Sequence, residues 1–447
     1  MQQHSLFKSF DKQSIHTLED VERFVWNTDL DVIDSFVKEI QDIIEDDKTK
    51  CTYSPFMFYP NPDLSGIGGC NETMCKVKRA HKFSLFASLY ADTIFLPLNP
   101  VSTDDYILQG NEDEDLYKHL YDVENLLALL LSYRDLINAG IARLSINRSG
   151  ICNSCLNRVL QHHQQAFSIT DLIKQYINQA TISIEKDEFE KGKYLVSYAN
   201  VANLVPGNHI IREYTAQDIP ELKYYSMQKK VVKALNLKKK LLSDLILSVI
   251  GEAYETSCFA QMYQAKMITD VPFDLHVAQI LQENRQETVV VKELRTQAID
   301  YDLPILGNLS VDKILQLREK MQDSFNRYRN SINNFIQRNH NNSAIDIRKI
   351  YALEIYPQFT ELVARIHEVK SQQLSRLIGE GLILSSALGV GYTLGLISSV
   401  SQAIEAAGGI ATIVHNATDT IFKFQEKKQE IKRNPYFFLW KLKNAKK

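Results

Sequence analysis

Apolar side chains recur at helical spacing along much of the chain. Within residues 1–50 the repeating apolar positions are Leu18, Val21, Phe24, Val25, Val32, Phe36, Ile40, Ile43 and Ile44. Such spacing places these side chains on one face of an α-helix. The same period predicts a strong amphipathic helix between Lys229 and Met267, and helix dominates again from Ser310 onward.

Two regions depart from this helical pattern. The stretch 181–214 alternates apolar and polar residues around turn-forming residues, which predicts a β-hairpin or small sheet. Residues 51–100 contain aromatic runs interrupted by Pro and Gly, as in YSPFMFYPNPDLSGIGG, and predict short strands and loops around one helix near 83–90. A further strand is predicted at 288–294.

The last third of the chain predicts a long helical hairpin. One helix begins at Ser310 and extends to about Gln337, and a second extends from about Ile345 to Ile378 with an interruption or kink near Pro357. The polar sequence NHNNS between them favours a turn. The expected fold class is therefore mainly α with a small β component, α+β.

A chain of 447 residues is too long for a single compact core, so we expect several cooperating parts. The patterns predict a mixed helical and irregular domain at 1–180, a β-hairpin with amphipathic helices at 181–305, and a third domain at 306–447. This third domain combines the helical hairpin, a glycine-dotted apolar helix and a basic, aromatic tail.

Composition excludes a disordered or fibrous chain, because 45% of the residues are hydrophobic and 23% are charged. The net charge is −3 and is unevenly distributed. Nine Lys or Arg and two Glu lie between Lys423 and Lys447, giving that tail +7 and the rest of the chain −10. The N-terminal sequence lacks an apolar targeting segment, so we expect a cytoplasmic protein.

Four of the six cysteines form two closely spaced pairs. Cys70 and Cys75 have C-x4-C spacing, and Cys152 and Cys155 have C-x2-C spacing. Two such pairs suit a tetrahedral Zn²⁺ ion, and four thiolates leave no open position for catalysis. The sequence therefore predicts a structural zinc site that staples the N-terminal half, although small buried cysteines are the alternative. Cys51 and Cys258 have no partner at ligand spacing and are expected to be buried.

The sequence LLSYRDLINAGIARLSINRSGICNSC contains the second cysteine pair and resembles uncharacterised bacterial proteins in which a helix leads through a strand to a cysteine pair. LPILGNLSVDKILQLREKMQDSFNRYRNSI also resembles bacterial proteins of unknown function. The resemblance implies a bacterial source and names no activity.

Residues 381–404 form an uncharged stretch long enough to cross a bilayer. Gly391 and Gly395 have the G-x3-G spacing that allows helices to approach closely in lipid. Membrane perturbation through 381–414 is one reading. A buried helix with small residues is the favoured alternative, because Ser and Thr dilute the apolar character.

Six lysines lie at the start of the predicted amphipathic helix: Lys229, Lys230, Lys233, Lys238, Lys239 and Lys240. They could contact nucleic-acid phosphates, and the basic tail could contact either lipid headgroups or single-stranded nucleic acid. Ordinary solvation of the lysines, with Phe437, Phe438 and Leu442 docking a short terminal helix, is the competing reading.

The sequence contains no phosphate loop, dinucleotide fingerprint, H-E-x-x-H or G-x-S-x-G motif. Glu188, Glu190 and Lys193 are the nearest approach to a nuclease site, but turns are commonly charged. We therefore expect a non-enzymatic protein with a structural zinc site that binds another macromolecule, as part of a bacterial stress or phage-defence system. A membrane-perturbing effector and a nuclease or nucleic-acid binder are the alternatives.

Overall fold

The computed structural model describes residues 3–46, 54, 56–68, 72–98, 112–146, 154, 168–187, 192–201, 203–205, 208–269, 271–282, 310–338, 353–368, 427 and 429–444. The protein is mostly helical with a small sheet component, as the sequence predicts. The chain divides into two compact units. One comprises Met1–Asp302 with Ser310–Leu315, and the other comprises Leu303–Leu309 with Gln316–Lys447.

The first unit opens with three helices, α1 (Gln3–Lys12), α2 (Leu18–Asn27) and α3 (Leu30–Asp46). Thr17 and Asp20 form a reciprocal capping box at the start of α2. Phe10, Phe24 and Phe36 pack edge to face between these helices, with ring centroids 5.2–5.5 Å apart. The helical opening is therefore confirmed.

A four-stranded parallel sheet follows, in the order β3-β2-β1-β8. Its strands are β1 (Met57–Pro60), β2 (Thr93–Leu98), β3 (Ala142–Ile146) and β8 (Lys266–Ile268). The connecting helices are α4 (Pro62–Ser65), α5 (Thr73–Tyr90), α6 (Glu112–Ser132) and α7 (Arg134–Asn138). Residues 51–100 are thus more regular than predicted: β1 and β2 are fully buried, and continuous apolar runs are typical of such strands.

After α8 (Ile169–Ile177), an antiparallel sheet has the order β6-β5-β4-β7. It comprises β4 (Thr181–Lys186), β5 (Lys193–Ala199), β6 (His209–Thr215) and β7 (Lys230–Val231), with a 3-10 helix at Pro220–Tyr224. Ile182, Val196 and Tyr198 lie on the buried face, in register with the predicted alternation. This confirms the predicted small sheet.

The long helix α9 (Leu235–Met262) contacts β1 and β8 of the parallel sheet, and its Leu241 carbonyl accepts a hydrogen bond from Tyr198 of the antiparallel sheet at 3.2 Å. Its first half supplies Leu241, Leu242 and Leu245 to the core beneath the antiparallel sheet. The last part of α9 packs against β1 and β8, and α10 (Pro272–Gln282) packs alongside it. The predicted helix is confirmed and begins six residues later than Lys229, but buried residues lie on more than one face, so its strongly amphipathic character is not borne out.

The second unit contains α12 (Gln322–Arg338), a helix at 353–368 that we call α13, and α14 (Phe437–Asn444), while α11 (Val311–Lys320) crosses the boundary between the units. Helix α13 continues through Pro357, so an interruption there is wrong, while the alternative of a kink stays a prediction. Phe437, Phe438 and Leu442 are buried and dock α14, as predicted for the tail. The predicted turn at 339–343 and strand at 288–294 lie outside the described residues.

Candidate functional site

The carboxyl ends of the four parallel strands meet at one edge of their sheet. The chain leaves β1 towards β2 and β3, and β8 later pairs on the opposite side of β1. The strand order therefore reverses at β1. In open sheets with crossover helices, ligands bind outside the carboxyl ends of the strands at such a reversal.

A glycine-rich turn, Asn61–Gly68, follows β1 at this edge. Gly66 has φ +81°, and a Cβ there would lie 2.4 Å from the Lys76 carbonyl oxygen. A Cβ on Gly68 would lie 2.8 Å from the Cβ of Pro62. Glycine is therefore required for the backbone of the turn to fold tightly against itself and α5.

Hydrogen bonds from neighbouring elements hold this turn. The Tyr133 hydroxyl donates to the Ser65 carbonyl at 2.6 Å, and buried Lys76 donates from Nζ to the Ile67 carbonyl at 2.8 Å. The Gly68 amide donates to the Pro62 carbonyl at 2.9 Å. These bonds fix the conformation of the turn before any ligand arrives.

Asn61 joins the ends of β1 and β8. Its backbone amide donates to the Ile268 carbonyl at 2.8 Å, and its side-chain amide donates to buried Asp274 at 2.5 Å. The Thr269 hydroxyl donates to the same Asp274 oxygen at 2.8 Å. Burial raises the pKa of Asp274 to about 7, with a contribution from the Glu252 and Asp63 carboxylates, although both hydrogen bonds lower it.

A cleft of about 210 Å³ opens beside the turn, and we call it the carboxyl-edge cleft. β1 and β2 pair at Met57–Thr93 and Phe58–Ile94, so Pro97 lies beyond the part of β2 that pairs with β1, and it lines the cleft. Its other lining residues come from β1, the glycine-rich turn, β6 and α9: Tyr59, Pro62, Asp63, Ile67, Gly68, Ile210, Ile211, Arg212, Glu252, Glu255, Thr256 and Phe259.

Charged side chains from three elements line the cleft. Arg212 of β6 donates to Glu252 of α9 at 2.6 Å, and Ser248 donates to the same carboxylate at 3.0 Å. Burial lowers the pKa of Arg212, but Glu252 and, more distantly, Asp63 outweigh burial and raise it, so the guanidinium stays charged. With Asp63 and Glu255, the lining has three carboxylates and one arginine, a formal charge of −2.

One wall of the cleft is aromatic. Tyr59 stacks on Phe259 with ring centroids 5.9 Å apart and on Tyr263 at 6.0 Å, while Phe95 stacks on Tyr263 at 4.5 Å. Burial raises the pKa of the Tyr59 hydroxyl, and Tyr263 and the Glu255 carboxylate raise it further. Tyr59 is therefore neutral. Of these four aromatic residues, Tyr59 and Phe259 line the cleft.

Of the four predicted zinc ligands, the structure describes Cys75. It lies in the first turn of α5, where Glu72 accepts hydrogen bonds from the backbone amides of Met74 and Cys75. Cys70, Cys152 and Cys155 lie outside the described residues, so the zinc site stays a prediction. Cys258 is exposed on α9, and the prediction that it is buried is wrong, because Ser257 and Ala260 occupy the buried face there.

The predicted phosphate-contacting lysines are divided between two elements. Lys230 belongs to β7, with Lys229 just before it, while Lys238, Lys239 and Lys240 lie in the first turns of α9. Lys233 is exposed between them, and none of the six lines the carboxyl-edge cleft. Contact with nucleic acid stays a prediction.

Two other predicted features fall largely outside the described residues. Gly391 and Gly395 lie there, with the whole of 381–414, as do Glu188 and Glu190 of the imagined nuclease site. Lys193 is described and pairs with Glu213 at 3.4 Å. Within the described helices, none combines the length and apolar character needed to cross a bilayer.

The parallel βαβ core therefore places a polar cleft at the carboxyl edge of its sheet. No protein-family model, curated protein sequence or solved structure matches the chain. Among the described residues, no group of three His, Cys, Asp or Glu side chains is arranged to hold a metal ion. The acidic lining therefore lacks the geometry of a metal site.

The residues of the cleft were missed by the sequence analysis because they come from four distant segments. One local signal could have indicated part of it, since a glycine-dotted turn directly follows the apolar run FMFYP. Glu252 and Glu255 gave another signal, because they lie one turn apart on a largely apolar helix.

Proposed function

We propose that the protein binds a small organic cation in the carboxyl-edge cleft. The observation that carries this proposal is the lining of the cleft, which combines three carboxylates with one arginine. Arg212 already donates to Glu252 at 2.6 Å, so the guanidinium is engaged within the protein. Arg79 also lies 3.9 Å from the Asp63 carboxylate, so two arginines stand against three carboxylates and leave a formal charge of −1 at the cleft, which favours a positively charged ligand.

The aromatic wall supports a cation with an organic body. Tyr59 and Phe259 line the cleft and offer apolar contact, and aromatic rings attract ammonium and guanidinium groups through their quadrupole. The volume of about 210 Å³ limits the ligand to a small molecule. Carboxylates on one side and ring faces on the other suit an amine or guanidine joined to a planar or aliphatic group.

The hydrogen bonds of the cleft also favour binding without large rearrangement. Arg212 and Ser248 orient Glu252, and Tyr133 and Lys76 hold the glycine-rich turn that carries Asp63. A cleft fixed in this way loses little conformational entropy on binding. This is the property expected of a dedicated binding site.

Benzylamine and benzyl alcohol provide a matched pair of probes, because they share the ring and differ in charge. We expect isothermal titration calorimetry at low salt to detect benzylamine, agmatine or choline, with benzyl alcohol at least about tenfold weaker than benzylamine. Added salt should weaken the binding of the cations more than the binding of benzyl alcohol, which is neutral. Equal affinity for benzylamine and benzyl alcohol would contradict the proposal.

Glu255→Gln tests the cleft itself, because the substitution keeps the shape of the side chain and removes its charge. We expect cation affinity to fall about tenfold, corresponding to ~1.4 kcal/mol. Glu22→Gln is the control, since Glu22 is exposed on α2 and does not line the cleft. Unchanged affinity in Glu255→Gln would show that the cation binds elsewhere.

A further inference from the structure

Residues 223–240 form a continuous surface segment, which we call the lysine-rich segment. It contains seven lysines and no acidic residue in KYYSMQKKVVKALNLKKK. It extends from the end of the 3-10 helix through β7 to the first turns of α9. Lys240 pairs with Glu221 at 3.3 Å, which joins the two helical ends of the segment.

Buried side chains fix the segment on the core of the first unit. Val232 and Leu237 of the segment, and Leu222 directly before it, are buried in the cluster beneath the antiparallel sheet. The Val232 amide donates to the Ile182 carbonyl at 2.8 Å, and the Lys186 amide donates to the Ser226 carbonyl at 3.0 Å. The outward side chains of the segment are therefore presented from an ordered backbone.

Four large apolar side chains of the segment are exposed. Tyr224 is 76% exposed, Met227 57%, Val231 57% and Leu235 55%. Thirteen large hydrophobic side chains are exposed in the described part of the chain, and these four lie within twelve consecutive residues. Single exposed apolar residues are ordinary, but a concentration of them marks an interaction surface.

Three lysines of the segment lie at the end of α9 where the helix dipole disfavours positive charge. Helix α9 has no acidic residue in its first turn and no side-chain cap at Ala234, while Lys238, Lys239 and Lys240 lie close to its positive end. Cations at a helix N-terminus are unfavourable, and an external anion would relieve that repulsion. Their placement is explained by a polyanionic partner better than by the stability of the helix.

The exposed aliphatic side chains decide between two kinds of polyanion. A nucleic acid would contact the lysines through its phosphates and could stack on Tyr224, but it would leave Met227, Val231 and Leu235 largely in water. An anionic bilayer surface removes such side chains from water while the lysines reach the headgroups. The combination of lysines with exposed aliphatic side chains therefore favours an anionic lipid surface over a nucleic acid as the partner.

We propose that the lysine-rich segment docks the protein on the surface of an anionic membrane, with Met227, Val231 and Leu235 at the level of the headgroups. The surface requires no membrane-spanning helix. It is separate from the carboxyl-edge cleft, since no residue of the segment lines that cleft.

Vesicle flotation with the full chain tests this proposal. We expect the protein to float with vesicles of phosphatidylcholine mixed with phosphatidylglycerol and to stay behind with phosphatidylcholine alone. Lys229→Glu/Lys230→Glu/Lys233→Glu should weaken binding by about a hundredfold or more, because each lysine near such a surface contributes substantially. Lys8→Glu/Lys38→Glu/Lys118→Glu makes the same charge change at exposed helical sites and should retain binding.

Met227→Ser/Leu235→Ser distinguishes lipid from other polyanions. Both side chains are exposed, so the variant should fold, and its melting temperature checks this. We expect it to lose about tenfold in vesicle binding. The proposal is overturned if the protein does not float with anionic vesicles, or if this variant binds them with the same affinity as the parent. Retention of a single-stranded RNA oligonucleotide without vesicle binding would assign the segment to nucleic acid instead.

Discussion

Among single residues, Asp274 accepts hydrogen bonds at the end of the parallel sheet, and the Glu252 and Asp63 carboxylates of the cleft help to raise its pKa. Burial holds its pKa at about 7, while an unfolded chain would have the ordinary value near 3.8. The folded protein therefore keeps a proton on Asp274 that the unfolded chain releases between those values. Its contribution to stability is complete below about pH 4, falls as pH rises, and is lost above about pH 7.

The substitution Asp274→Asn should remove this pH dependence, because an amide oxygen can still accept from Asn61 and Thr269. We expect the parent to lose stability relative to the variant, by up to about 4 kcal/mol, between pH 4 and pH 8. Urea unfolding at several pH values measures the difference. A constant difference would show that Asp274 does not titrate in this range.

Gly66 and Gly192 show two different reasons why a position requires glycine: its backbone conformation, and the lack of space for a Cβ. Both have positive φ, at +81° and +90°, but a Cβ on Gly192 would meet nothing within 4 Å. Gly192→Ala should cost about 1 kcal/mol, from backbone conformation alone. Gly66→Ala should cost ~1–3 kcal/mol more, because its Cβ would collide with the Lys76 carbonyl. Equal losses in urea unfolding would show that the turn can shift.

Among the helices, the terminal helix α14 packs against α12 through the ring of Phe438. Phe438 is fully buried, with its ring 5.4 Å from Phe325 and 5.9 Å from Tyr328. We expect Phe438→Ala to destabilise the second unit by ~3–5 kcal/mol and Trp440→Ala, at a partly exposed position, to cost clearly less. Thermal unfolding followed by circular dichroism compares them, and similar losses would contradict this docking.

Regular local patterns were predictable, and short or long-range elements were not. The sequence shows the alternation in β4 and β5 and the helical period of α9, because each of these patterns lies within one continuous segment. The parallel sheet was missed because Pro97 and the glycine-rich turn look like loop signals. β8 has only three residues, and its pairing with β1 depends on residues far apart in the sequence. The cleft was missed for the same reason.

At the scale of the whole molecule, the predicted zinc site would connect residues near 70 with residues near 155. We expect protein purified without added zinc to contain one zinc per chain, and Cys152→Ser to lose both the metal and folding stability. Cys258→Ser is the control, since Cys258 is exposed on α9. Elemental analysis and thermal unfolding give the result, and a metal-free parent would remove the zinc hypothesis.

The role as an interaction protein in a bacterial stress or phage-defence system stays a prediction of the sequence. The cleft and the lysine-rich segment lie in the first unit, and each has its own test. Binding of a small cation together with an anionic surface would make the protein a candidate sensor at a membrane. Loss of one property without the other would show that the two surfaces act independently.

The pairing of β1 with β8 has a consequence for synthesis on the ribosome. Phe58 pairs with Lys266, which is synthesised 208 residues later. Until then, that edge of β1 lacks its neighbouring strand, and exposed edges invite association with other chains. We expect chains released after Met262 to be cut readily by protease near β1, and chains released after Gln282 to be protected. Equal protection would mean that the edge is covered earlier in translation.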